Sequence, residues 1–156
     1  DQGSKYDGDG NLNNWWTPKD RANFEARTRA LVAQYGEYEA LPGHKVNGEL
    51  SLGENIGDLG GVGIALRAYR MALGGRAAPV IDGFSGEQRL LLGWAQAWRV
   101  KRREQLAEQL LRVDPHSPPE FRVNGVVRNI DAFYDAFDVR PGAKLYLPPG
   151  ERVRIW

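Results

Sequence analysis

Apolar positions along this chain fall mostly at helical spacing. Thr17-Pro18 pairs an N-cap residue with proline at the first helical position. Behind it Ala22, Phe24, Thr28, Leu31, Val32 and Tyr35 form one stripe, and Gly36 suits a C-terminal stop. Ser51 opens a second helix that runs to about Leu73 and stops at Gly74-Gly75. Ser85 and Gln88 have capping-box spacing and start a third, expected to be the longest. Its apolar positions are Leu91, Trp94, Ala95 and Trp98, with a continuation or bend through Leu106, Leu110 and Leu111 as far as Asp114-Pro115. A short helix fits Asn129 to Phe137. Residues 121–127 read as extended, with Asn124-Gly125 as a turn. Pro42-Gly43 and Asn47-Gly48 mark a loop or hairpin over 39–50, and Pro79 with Asp82-Gly83 mark another loop. Residues 1–16 read as a polar loop ending in Trp15-Trp16, and 141–156 as loop with a final strand. The expected fold is mainly α with little strand and no internal repeat.

Composition narrows the function classes. A chain of 156 residues fits one compact domain or a large piece of a bigger one. A net charge of +1 gives no electrostatic case for nucleic acid or an anionic membrane. The basic run Arg99-Val-Lys-Arg-Arg103 reads as a solvated helix face or as a source of structural ion pairs, rather than as a nucleic-acid site. Cysteine is absent, which removes disulfides, thiolate metal sites and cysteine catalysis together. No apolar run approaches the length of a membrane span. The first residues, Asp1-Gln2-Gly3-Ser4, do not read as a signal peptide, and the chain is expected to begin inside a longer protein.

Two segments carry candidate chemistry. In Leu52-Gly-Glu54-Asn-Ile-Gly-Asp58-Leu-Gly-Gly61 the two acids are four apart and share a helix face. Ile56, Leu59, Val62, Ile64 and Leu66 surround them with apolar atoms, and buried carboxylates need a cation or strong donors. Four glycines, at 57, 60, 61 and 63, cost roughly 1 kcal/mol each in a helix interior. They make sense if another backbone or a metal site approaches closely. Glu54 also reads as the third residue of a capping box opened by Ser51, and Asp58 as a surface acid. In Asp114-Pro-His116-Ser-Pro-Pro-Glu-Phe-Arg122 prolines pin the His116 imidazole six residues before a guanidinium, and the two would suit an oxyanion if they converge; a lone loop histidine is more often a surface or structural residue. His44 reads as a surface loop residue, and Trp94 with Trp98 as core packing. Asp7-Gly-Asp9-Gly-Asn11-Leu-Asn13 resembles the start of a calcium loop. Leu12 stands where glycine is wanted, however, and Pro18 where glutamate is wanted, so a polar turn is the plainer reading.

Taken together, these motifs resemble the neprilysin and endothelin-converting-enzyme family of zinc metallopeptidases. The acid helix, Trp94-Ala-Gln-Ala-Trp98, the Asp114-to-Arg122 segment and a terminal Ile155-Trp156 follow one another in the family's order. An Asp-x-Gly at residue 1 and an Asp-Gly-x-Leu leading to Trp15-Trp16 agree with it. The resemblance implies the helical C-terminal part of a thermolysin-like catalytic domain, spanning 1–156. It implies Glu54 as a zinc ligand and Asp58 as the acid that orients a zinc-binding histidine. His116 would donate to the tetrahedral intermediate, and Arg122 would bind substrate backbone. Two histidines and one glutamate would hold one zinc ion, leaving a position for water. The HExxH that supplies those histidines and the general base is absent from these residues and is expected upstream of Asp1. Peptides are the implied substrates, the rest of the same protein the implied partner, and an extracytoplasmic setting the implied location. The lack of cysteine leans toward a bacterial member. A non-catalytic helical binding module and a calcium-stabilised domain around residues 7–13 are the alternatives. By itself the chain is expected to bind zinc weakly and hydrolyse no peptide.

Overall fold

The computed structural model describes residues 2–155. Asp1, and with Trp156 the end of the Ile155-Trp156 motif, lie outside the described residues. Six α-helices and one two-stranded sheet are present among them. Helix α1 is Pro18–Gly36 and α2 is Leu52–Leu73; between them β1, Glu39–Leu41, pairs antiparallel with β2, His44–Lys45. Then come α3, Gly86–Ala97, α4, Glu104–Val113, α5, Pro119–Val127, and α6, Asp131–Phe137. The mainly α architecture with little strand is as the sequence predicts.

Local chemistry explains most boundaries. The Thr17 side chain accepts from the Asp20 backbone N–H at 3.1 Å, an N-cap bond. Ser85 and Gln88 form both halves of a capping box. Gly74 ends α2 in the left-handed conformation, at φ 58°.

Several expected elements and boundaries differ. Helix α2, not α3, is the longest, because α3 stops at Ala97. Residues 99–103 hold four cations, and like charges four apart disfavour a continuing helix. Residues 121–127 are helical, not extended. Pro119 occupies the first turn of α5, where its missing N–H costs nothing, and Phe121, Gly125 and Val126 are buried at helical spacing. Gly125 makes no turn. A Cβ there would lie 2.7 Å from Tyr35 Oη, so the glycine admits that ring. Gly36 lies inside α1, whose C-cap is Glu37. Among the described residues the tail forms no strand but a short 3-10 turn, Pro149–Glu151.

The core gathers around α2. Ile56, Leu59, Val62 and Leu66 pack with Leu31 and Tyr35 of α1, Leu91 of α3, and Phe121, Val126 and Val127 of α5. Asn129 ties the tail to this body. Its side chain accepts from Val153 N–H at 2.8 Å and donates to Gly125 O at 2.8 Å and to Gln34 Oε1 at 2.6 Å. In this body α2 and α5 lie side by side, the arrangement on which the site depends.

Candidate active site

Helix geometry puts Glu54 and Asp58 on one face of α2, one turn apart. The Asp58 side chain is 7% exposed and that of Glu54 43%. Asp58 is therefore not a surface acid. The capping-box reading of Glu54 also fails. Ser51 makes no side-chain cap bond; its hydroxyl donates to Asn47 O at 2.9 Å and accepts from Asn55 Nδ2 at 3.0 Å. Glu54 turns the other way.

It turns toward Arg122. From α5, Arg122 donates through Nε to Asp58 Oδ2 at 2.6 Å and through Nη2 to Asp58 Oδ1 at 2.7 Å. The same Nη2 lies 3.3 Å from Glu54 Oε2. This two-point fork on a buried carboxylate is the strong form of an arginine pair. It also offsets the repulsion between the two acids. The hydrogen bonds to Asp58 hold the guanidinium pKa above its already high ordinary value.

His116 completes the group. Its Nε2 lies 3.3 Å from Glu54 Oε2, and its Nδ1 lies 2.6 Å from Asp114 Oδ1. Asp114 Oδ1 also accepts the His116 backbone N–H at 3.1 Å. Burial works to raise the Asp114 carboxyl, but the bonds from the His116 ring and backbone prevail and leave it below the usual range. An Asp114 acceptor fixes the proton on Nδ1. A protonated ring then donates to both acids, while a neutral one turns a lone pair from Nε2 toward Glu54.

The His116 loop is anchored from beneath. Ser117, 2% exposed, donates to Asn55 Oδ1 at 2.7 Å. Asn55 is 1% exposed, and its amide passes the chain of bonds on to Ser51 and Asn47. Sequence reasoning missed Asn55, Ser117 and Asp114. A signal existed for the first: an asparagine wedged between Glu54 and Ile56 on a helix with a buried apolar face must find partners. Asn55→Ala should destabilise the protein by about 1–3 kcal/mol, because Ser117 and Ser51 lose a buried partner. Urea denaturation checks this, and an unchanged midpoint would count against the anchoring.

All four candidate residues thus meet, although Arg122 is 64 and 68 positions from the two acids. His44 is exposed on β2. The loop at Asp7 folds on itself. Asp7 Oδ1 accepts the backbone N–H groups of Asp9 and Asn11, and Oδ2 accepts from Asn13 Nδ2. The bond from Asn11 N–H leads the effects that lower the Asp7 pKa. Residues 99–103 are an exposed, irregular linker rather than a helix face. Trp94 and Trp98 are only partly buried; their rings meet edge to face at 5.4 Å beside Arg122.

Next to Glu54, α2 presents an open stripe. Gly57, Gly61, Ile64, Ala65, Ala68 and Met71 are exposed in succession, Ile64 by 70% and Met71 by 72%. A Cβ added at Gly57, Gly61 or Gly63 would meet nothing within 4 Å. The close approach expected at these glycines is not made by any described residue. Among the described residues no three His, Cys, Asp or Glu side chains gather as a metal site.

Comparison with known proteins settles the family. The sequence pattern of peptidase family M13 matches residues 1–153. The chain belongs to peptidase family M13. It is 38% identical to neprilysin-11 of Caenorhabditis elegans, over all of this chain and 19% of that protein. It is also 38% identical to human endothelin-converting enzyme 1, again over all of this chain and 20% of that protein. The fold superimposes on the Mycobacterium tuberculosis zinc metalloprotease Zmp1, solved with an inhibitor, with a TM-score of 0.94 and 59% identity. That match covers all of this chain and 25% of Zmp1. The chain thus spans about a fifth to a quarter of the relatives it matches. Zinc-metallopeptidase kinship and the helical fold are as the sequence motifs imply. Among the described residues no helix is long and apolar enough to cross a membrane.

Proposed function

We propose that this chain supplies one zinc ligand and the oxyanion- and substrate-binding groups of a peptide-hydrolysing M13 active site. One observation carries the reading: the four residues singled out by family motif converge in one hydrogen-bonded cluster, from segments far apart in sequence.

The chemistry of the donor set fits zinc in part. Glu54 is a half-exposed carboxylate whose Oε2 takes both contacts from the cluster, so Oε1 can be offered to a metal. Zinc, when bound, supplies Lewis acidity and an activated water. The rest is the work of this chain's own groups. Arg122, fixed by Asp58, presents N–H donors to a peptide carbonyl. His116, held by Asp114, points Nε2 at the cluster, where a protonated ring can donate to a developing oxyanion. Asp58 has spare lone pairs beside its two bonds to Arg122, enough to accept from an imidazole as well.

On this reading the remaining ligands and the general base come from residues outside this chain, which spans about a fifth to a quarter of its relatives. The stripe from Gly57 to Met71 adjoins Glu54 at helical steps and suits close packing of another helix. Peptides are the proposed substrates, the rest of the same protein the proposed partner, and an extracytoplasmic location the proposed setting.

Replacing Glu54 with Gln in the full-length protein tests this. The variant should lose bound zinc and chelator-sensitive cleavage of a fluorogenic peptide, while the surface control Glu49→Gln keeps both. The 156-residue chain by itself should bind zinc more weakly than micromolar and cleave nothing. Retention of zinc and activity by Glu54→Gln would refute the ligand assignment. Sub-micromolar zinc binding by the isolated chain would refute the shared-site reading.

A further inference from the structure

The guanidinium of Arg122 is held in its plane by Asp58 and Glu54, but two carboxylates at its edge do not fix its tilt. A ring does. The Arg122 Cζ lies 4.0 Å from the centroid of the Trp98 ring. One turn earlier on α3, Trp94 donates from Nε1 to the backbone carbonyl of Arg122 at 3.2 Å. The two indoles meet edge to face, so each braces the other. Both ends of one residue, its guanidinium face and its own carbonyl, are thereby gripped by α3 and the residue that caps its C-terminus.

A second detail shows which part of Trp98 matters. Its Nε1 is buried and has no hydrogen-bond partner among the described residues. A buried indole N–H usually finds one. Trp98 is oriented for the face it lays on Arg122, at the expense of its only polar atom. With Nε and Nη2 committed to the acids and the face covered by Trp98, Nη1 is the nitrogen that engages neither carboxylate. We propose that Trp94 and Trp98 are a positioning pair for Arg122, setting the tilt of its guanidinium so that Nη1 is aimed at the substrate. This rests on the proposed role of Arg122 as the substrate-binding cation. Neither tryptophan is a catalytic residue; both act through the arginine.

The test is a double-mutant cycle in the full-length protein, read as kcat and KM on a fluorogenic peptide. A cation over an aromatic ring is strong enough that Trp98→Leu should lower kcat/KM by about 3- to 30-fold. The loss should fall on kcat with KM little changed. Trp98→Phe, which keeps a ring face, should recover most of it. With Arg122 replaced by Ala, adding Trp98→Leu should cost nothing further, because the group being aimed is gone. If Trp98→Leu does not fold, Trp98→Met in the same cycle keeps more of the side-chain volume and makes the same comparison. Multiplicative losses across the cycle, or Phe no better than Leu, would overturn the positioning role and reduce Trp98 to packing. If Arg122→Ala itself leaves kcat/KM intact, the substrate-binding reading of Arg122 fails instead, and the two failures are told apart.

Discussion

Arg122→Met should destabilise the fold by about 3–5 kcal/mol, the usual cost of breaking a buried ion pair from one side. Asp58 is 7% exposed and Arg122 11%, so water screens little of the pair. Removing the guanidinium strands the Asp58 carboxylate inside the protein, one helical turn from Glu54, with its two best donors gone. Methionine fills much of the vacated volume, which keeps the cavity contribution small and isolates the electrostatic one. Adding Asp58→Asn should therefore restore most of the loss, because an amide needs no counter-ion. Urea denaturation of the single and double variants gives the result. A single variant within about 1 kcal/mol of the parent, or a double variant no better than the single, would show that the pair contributes little. This measurement concerns the frame of the site and is independent of whether Arg122 touches substrate.

How much of this was legible in sequence depends on the range of the interaction. Local signals read correctly where chemistry was local: the Thr17 cap, the Ser85-Gln88 box and the Gly74 stop all follow from neighbours within a turn. They misled where a tertiary partner outbid them. Ser51-x-x-Glu54 has capping-box spacing, yet Asn47 and Asn55, each four positions away, take the Ser51 hydroxyl, and Arg122 of α5 takes Glu54. Asn124-Gly125 looks like a turn, yet the glycine exists for Tyr35, which is 90 positions away in sequence and 2.7 Å from where a Cβ would stand. The convergence of Glu54, Asp58, His116 and Arg122 had no local signature. Only the order of family motifs pointed to it, because spacing along a chain carries no information on how α2 meets α5. The aromatic bracket behind Arg122 was hidden for another reason. Two tryptophans four apart read equally well as core, and only their geometry shows one face laid on a cation.

Gly48→Ala should be nearly as damaging, at about 2–3 kcal/mol, and for a reason unrelated to backbone conformation. Gly48 is buried, and its φ lies outside the left-handed range, so alanine could adopt its backbone angles without strain. In the unfolded chain alanine would even help, by about 0.4–1 kcal/mol. The obstacle is the wall of α1. A Cβ at residue 48 would lie 2.3 Å from the Val32 carbonyl oxygen, and backbone cannot rotate aside as a side chain can. Nor can the loop retreat. Val46 N–H donates to Tyr38 O at 2.9 Å on one side, and Asn47 O accepts from Ser51 N and Oγ on the other. The steric loss therefore exceeds the entropic gain. The strain should also travel, because Asn47, Ser51, Asn55 and Ser117 form the bonded chain that anchors the His116 loop. Gly36→Ala is the matched control: it lies in α1 with open space around its Cβ, and should leave stability unchanged or improved. Thermal and urea unfolding of both variants decide the matter. Gly48→Ala at parental stability would mean that α1 and the 46–51 loop are free to part, and that the His116 loop is not anchored through them.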